Sequence, residues 1–273
     1  MEVVFIICLI IGLVTAFVGS IMGLGGGVIL VPTLILFASI SDAFAWATPQ
    51  AIVGISLIVM IFTGLASTLS YLKVKRVDYR TGFLFMIGSI PGGIIGAWLN
   101  QYVEAETFQL YFGILMILIA MILFFKKKEP RTVDLTGKGV RTFEVNGERY
   151  QYKVHAVGAI FLALIVGVLS GLFGIGGGSI MVPAMILLFG FPVHIATATS
   201  MFMIFFVSIF SSVTHIALGH IVWEYVLFFI PGAWVGGKLG AKVNQMLSSK
   251  TLEWILRLLL IFIGIRMIIQ GLG

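Results

Sequence analysis

The chain has 273 residues, of which 60% are apolar and only 10% are Asp, Glu, Lys or Arg, under half the charged share of a soluble domain. Mean hydropathy is +1.14, and apolar runs recur that reach the roughly 20 residues needed to cross ~30 Å of hydrocarbon. These values exclude a water-soluble domain, and the lack of strict polar-apolar alternation excludes a membrane β-barrel. The net charge of +6 does not point to nucleic acid. No basic stripe is interleaved with aromatics, and the charges fall between apolar runs, where they set topology. Cys8 stands alone, so no intrachain disulfide or cysteine-rich metal site can form. It reads as a small buried hydrophobe. Met1-Glu2 lacks the positive start of a cleaved signal, so the first run is expected to remain as a membrane helix.

In chain order, apolar runs fall at 3–22, 28–40, 47–72, 79–100 and 107–125, and after a polar stretch at 154–173, 179–191, 194–217, 221–243 and 251–270. The second set repeats the first in residues as well as in length. Gly23-Leu-Gly-Gly-Gly-Val-Ile-Leu-Val-Pro32 returns as Gly174-Ile-Gly-Gly-Gly-Ser-Ile-Met-Val-Pro183, a shift of 151. Gly92, Gly93, Gly96 and Ala97 return as Gly236, Gly237, Gly240 and Ala241, a shift of 144 that also pairs Tyr71 with His215. The chain therefore reads as a first transmembrane repeat over 1–125, a charged linker over 126–153 and a second transmembrane repeat over 154–273.

Lys and Arg placement fixes the relative orientation of the copies. The loop between the third and fourth runs carries Lys73, Lys75, Arg76 and Arg80, and the next carries only Glu104 and Glu106. The fifth run ends in Lys126, Lys127 and Lys128. In the second copy the bias swaps loops: His215 to Glu224 holds no Lys or Arg, while Lys238, Lys242, Lys250 and Arg257 follow. Five crossings per copy invert the second and leave every Lys and Arg except Arg266 on one side. The expected protein is all-α: a polytopic helical protein of the cell (inner) membrane with two inverted repeats of about five segments, both termini outside and the linker cytoplasmic. Within the linker, Thr142 to Val154 alternates around Asn146-Gly147 and reads as a small β-hairpin, either a topology-fixing spacer or a regulatory tag.

The short second run of each copy, 28–40 and 179–191, covers as a helix roughly 20 Å, less than the ~30 Å core. Each is opened by a glycine triplet, Gly25, Gly26, Gly27 and Gly176, Gly177, Gly178, which lets the backbone turn and bares N–H groups. Pro32 and Pro183 are expected in the first turns, where no needed helical donor is lost. Inversion brings the two helix N-termini toward the membrane centre from opposite faces. Each acts as about half a positive charge, so a small anion can be held without a central Lys or Arg, which costs about 2.5–3.5 kcal/mol to insert. Gly92, Gly96, Gly236 and Gly240, spaced by four, read as helix packing positions. A nucleotide loop is excluded, since neither turn ends in Gly-Lys-Ser/Thr or follows a strand.

Gly174 to Pro183, followed by His194-Ile-Ala-Thr-Ala-Thr-Ser200, and the degenerate copy Gly23 to Pro32 with Ala47-Thr-Pro-Gln50, resemble the sulfite exporter TauE/SafE family of anion permeases. The resemblance spans nearly the whole chain outside the linker. It implies carriage of small sulfur-containing or organic anions such as sulfite, sulfonates or sulfoacetate, with no cofactor. The first copy departs from the second, placing Pro49-Gln50-Ala51 opposite Ala198-Thr199-Ser200. Thr48, Gln50, Thr197, Thr199 and Ser200 open the third runs as neutral donors to an oxyanion or as helix caps, and Ser179 extends the second cradle or caps its own helix.

His194, His215 and His220 show no zinc-enzyme spacing and read as interface histidines. His215, paired with the polar aromatic Tyr71, is the candidate for sensing or gating by a proton. Arg257 either snorkels or guides anions, and Trp46, Trp98, Trp223 and Trp254 suit the interfacial belt. No carboxylate, cysteine or histidine cluster accompanies the glycine turns, which disfavours a membrane enzyme. The expectation is a secondary anion transporter whose partners are a small anion and the bilayer, without nucleic acid or metal, and which rocks one repeat against the other. The alternative is a passive anion channel.

Overall fold

The computed structural model describes residues 2–124, 140–145 and 148–272. Linker residues 126–139 and Asn146-Gly147 lie outside them. The first repeat comprises α1 (Glu2–Met22), α2 (Gly27–Ile40), α3 (Pro49–Lys73), α4 (Tyr79–Leu99) and α5 (Ala105–Phe124). Strands β1 (Val140–Val145) and β2 (Glu148–Lys153) pair antiparallel with Val140 opposite Lys153. The second repeat comprises α6 (Ala156–Phe173), α7 (Gly178–Leu188), α8 (Val193–Ala217), α9 (Trp223–Met246) and α10 (Ser249–Leu272). Seven of these helices have the length and hydropathy of a membrane span, whereas α2 and α7, with 14 and 11 residues, rise only roughly 21 and 17 Å.

Glycine contacts give the helix directions. Gly232, Gly236 and Gly240 of α9 meet the carbonyls of Leu9, Leu13 and Phe17 of α1 in step, and Gly88, Gly92 and Gly96 of α4 meet those of Ile160, Leu164 and Val168 of α6. Both pairs are therefore parallel. Gly54 and Gly64 of α3 meet His215 and Phe205 of α8 in opposite order, so that pair is antiparallel. Helices α1, α3 and α9 run one way, α4, α6 and α8 the other, and the second repeat is inverted. Both chain ends and the α8–α9 turn share one end of the bundle, here the terminal end; the α3–α4 turn and the hairpin share the other.

The repeats do not sit side by side. The fourth helix of each packs against the first helix of the other, because a glycine ridge lets two backbones approach closely enough for carbonyls to rest on Cα atoms. A Cβ at Gly92 or Gly236 would overlap a carbonyl oxygen of the facing helix, which accounts for the spacing of four. Two mixed bundles result, α1–α3–α9 and α4–α6–α8, which meet where α3 crosses α8, while α5 and α10 pack against each other across the two repeats.

Local sequence sets where the short helices stop. The run expected to 191 ends as a helix at Leu188, because Gly190 takes φ +75° and Pro192 precedes α8. In the first repeat α2 continues to Ile40, a 3-10 turn covers Asp42–Phe44, and Thr48 caps α3 with Pro49 as its first residue. The intervening segment is thus seven residues longer in the first copy, the difference between the shifts of 151 and 144. Pro32 and Pro183 are each the sixth residue of their helix, past the four positions whose N–H has no helical acceptor, so contrary to expectation the Val28 and Ser179 carbonyls each lose their usual helical donor.

Candidate functional site

The pattern Gly-x-Gly-Gly-Gly serves two separate needs. Its first, third and fourth positions adopt left-handed backbone, with φ of +76°, +82° and +98° at Gly23, Gly25 and Gly26 and +66°, +74° and +68° at Gly174, Gly176 and Gly177, a region open to glycine at little cost. The fifth position is helical, but a Cβ at Gly27 would overlap the Gly174 carbonyl and one at Gly178 the Gly23 carbonyl. The two turns therefore pass each other antiparallel and in contact. Gly25 and Gly176 both abut the Met60 sulfur, and Gly25 and Gly178 abut Ile204. Met60 and Ile204 are each the twelfth of 25 residues in α3 and α8, so the crossing lies midway along the two longest spans.

Paired hydroxyls hold the crossing. Ser56 donates to the Gly174 carbonyl and Ser200 to the Gly23 carbonyl, each at 2.7 Å. Both serines are buried and are related by the shift of 144. The backbone N–H groups of Gly25 to Val28 and of Gly176 to Ser179 make no hydrogen bond among the described residues. Two sets of free amides, each at a helix N-terminus, therefore converge at mid-span and give it positive potential.

The half-sites differ in openness. The first turn is covered by α1, where Gly19 lies directly against the Gly26 amide. Its counterpart is Ser170, and there the second turn borders a cavity of about 10 Å³ lined by Gly176, Gly177, Gly178, Ser170, Ser200 and Ser89 among others, just enough for one water. The Ser170 and Ser179 hydroxyls are buried without a partner among the described residues. Among the described residues no Lys or Arg lines this cavity.

Of the residues expected at the site, both triplets, Ser179, Thr197 and Ser200 gather at or beside the crossing, with the Thr197 backbone against Gly23. Thr48 and Gln50 do not. Thr48 accepts from the Ala51 amide as the exposed cap of α3, and Gln50 donates to the carbonyls of Asn100 and Val103 at the terminal end. Pairing Pro49-Gln50-Ala51 with Ala198-Thr199-Ser200 is thus off by five residues, since the inserted segment shifts the register and Val53 and Ser56 stand opposite Thr197 and Ser200. Thr199 lies toward the hairpin end, accepting from the Asp78 amide at 3.0 Å. Ser56, Ser89 and Ser170 were missed; the shift of 144 from Ser200 would have found Ser56.

Tyr71 and His215 occupy equivalent places at opposite ends. Tyr71 donates to the Ser20 carbonyl at 2.9 Å, whereas His215 Nδ1 meets Nδ1 of His220 at 3.0 Å. His220 lies in the α8–α9 turn, where burial lowers its pKa from the ordinary value. At the hairpin end, Tyr152 is buried against Phe191 and donates to Asp78 at 2.6 Å. Burial first, then this bond to a carboxylate, raises its phenol pKa. Arg257 lies 3.4 Å from Glu253 and over the Trp254 ring.

Inverted repeats with short helices meeting at mid-span define a polytopic helical membrane transporter. The chain belongs to the sulfite exporter TauE/SafE family, which it matches over residues 8–267. It is 48% identical over 270 residues to the probable membrane transporter protein YunE of Bacillus subtilis, covering 98% of each chain. A probable membrane transporter protein of Methanocaldococcus jannaschii is 25% identical over 274 residues, covering 96% of this chain and 94% of that one. Another, from Haemophilus influenzae, is 28% identical over 244 residues, covering 89% and 85%. No solved structure matches the chain.

Proposed function

We propose that this transporter is a secondary carrier of a small anion, of the sulfite, sulfonate or sulfoacetate class, and that the anion binds where the two glycine turns cross. The observation that carries this reading is the pair of opposed turns whose free amides converge beside a cavity without a cationic side chain. A doubly bonded sulfur oxyanion offers several acceptors to such amides. The description of the family as sulfite exporters supports the sulfur class.

The charge bias places the hairpin end in the cytoplasm and both termini outside the cell membrane. Alternating access takes place between the mixed bundles α1–α3–α9 and α4–α6–α8, not between the sequence repeats. Rocking one repeat against the other would tear both glycine ridges, whereas the α3–α8 crossing carries the anion contacts and can act as the hinge. Binding wider than one water requires this opening, which favours a carrier over a standing pore.

Counterflow in liposomes tests the reading. A trans pool of methanesulfonate or sulfite should accelerate uptake of the labelled anion. Conductance well above carrier turnover would instead establish a channel.

A further inference from the structure

The second repeat holds a row of buried polar atoms without hydrogen-bond partners among the described residues: the hydroxyls of Ser170, Ser208, Ser211 and Ser212, and Nε2 of His215. All five residues are at most 2% exposed. Ser208, Ser211, Ser212 and His215 follow the i, i+3, i+4, i+7 spacing of one helix face, and Ser200, Ile204 and Val207, which line the cavity at the second turn, continue that face to mid-span. Ser170 joins it from α6.

The first repeat is closed at most of the equivalent places, where among the described residues Thr68, the counterpart of Ser212, is the one hydroxyl left without a partner. Gly19 replaces Ser170. Ser67, the counterpart of Ser211, bonds Ser20 and the Gly237 carbonyl, and Tyr71, the counterpart of His215, donates to the Ser20 carbonyl. Leaving several buried polar atoms unpaired is costly, so the continuous row in the second repeat calls for something that pairs with it during part of the cycle.

The row ends at the histidine pair. An Nδ1···Nδ1 contact of 3.0 Å requires one ring to donate and the other to accept, so the donor ring keeps a lone pair on its outer nitrogen. One proton added there makes an imidazolium that retains the bond; a second would oppose two donors and break it. The elements packed on His215 present Gly54 from α3, the Gly171 backbone from α6, which lies near the ring without completing a bond to Nε2, and His220 and Ile221 from the following turn. His220 is the titratable group among them. The terminal-end acids Asp42, Glu104, Glu106 and Glu224 are exposed, and none forms an ion pair with either ring among the described residues. His220 is half-buried and gives the pair access to protons from that side.

We propose that His215 and His220 form the proton site of this carrier, taking one proton with each anion from the terminal side. The hydroxyl row from Ser212 to Ser170, wetted when the carrier opens, links the charge to the anion at the second glycine turn. The proposal rests on the carrier reading, and intramembrane ionisable pairs at such positions serve proton coupling.

Two measurements test it separately. In anion-free protein in nanodiscs, ¹⁵N-histidine NMR should show His215 and His220 taking up one shared proton, at a pH below that of a free imidazole, and the second only at a clearly lower pH. Independent full titration of both rings, or no proton uptake by either over the range in which the protein stays folded, would overturn the proposal. In the second measurement, methanesulfonate, which does not itself titrate in this range, should bind the wild type more tightly as pH falls, by up to about tenfold per unit for one linked proton. His220→Gln, with His215→Gln as the second variant, should flatten that slope. A variant that keeps the full slope overturns the proposal. If methanesulfonate binds at no pH, the sulfonate reading of the substrate fails while the NMR result still decides the proton site.

Discussion

Replacing Gly177 by valine tests whether the cavity at the second turn is the anion site. Gly177 sits at φ +68°, where a residue with a Cβ costs ~1–2 kcal/mol. Its Cβ would lie 3.3 Å from Val166 Cγ1 and 3.5 Å from Ser170 Cβ, so alanine fits with little movement and its cost is the backbone strain. Valine adds two methyl groups to a cavity that holds about one water. Overpacking of this kind adds ~1–3 kcal/mol, giving about 2–5 kcal/mol in all. Gly177→Val should therefore unfold at lower temperature and lose anion binding and counterflow. Gly177→Ala should lose ~1–2 kcal/mol and bind more weakly. Gly158→Val is the control, since nothing lies within 4 Å of the position a Cβ would take. Thermal unfolding in detergent, titration calorimetry with methanesulfonate and liposome counterflow supply the readouts. Folded Gly177→Val protein that binds the anion as tightly as the wild type would refute the placement of the site.

Other perturbations separate packing from binding. Gly92→Leu forces a side chain into the Leu164 carbonyl of α6 and should chiefly reduce the yield of folded protein, as measured by size-exclusion profile; a well-folded, inactive variant would contradict a packing role. Ser56→Ala and Ser200→Ala each strand a buried turn carbonyl, at ~1–3 kcal/mol, and unfolding midpoints within error of the wild type would show that the crossing does not need these bonds. Tyr152→Phe removes the bond to Asp78 and should speed tryptic cleavage at Arg141 and Arg149, leaving the midpoint of the membrane helices nearly unchanged; wild-type cleavage rates would show that this bond does not dock the hairpin. In a Cys8→Ser background, an impermeant maleimide should label Glu224→Cys in intact cells and Thr142→Cys only after lysis, and the reverse pattern would invert the proposed topology.

Composition and charge placement carried the membrane class, because crossing hydrocarbon demands long apolar helices and because Lys and Arg stay on one side. The repeated Gly-x-Gly-Gly-Gly carried the two turns, since few other residues tolerate three positive φ values so close together. Tertiary structure alone decided which residues meet there. The first repeat spends seven more residues between its short helix and its third helix, which moves Thr48 and Gln50 to the terminal end and brings Ser56 to the Gly174 carbonyl. Likewise, Gly92 and Gly236 read as packing positions in one dimension, but the choice of partner lies in the fit of one glycine ridge to one row of carbonyls. That fit exchanged the fourth helices between repeats, and local propensity has no term for it.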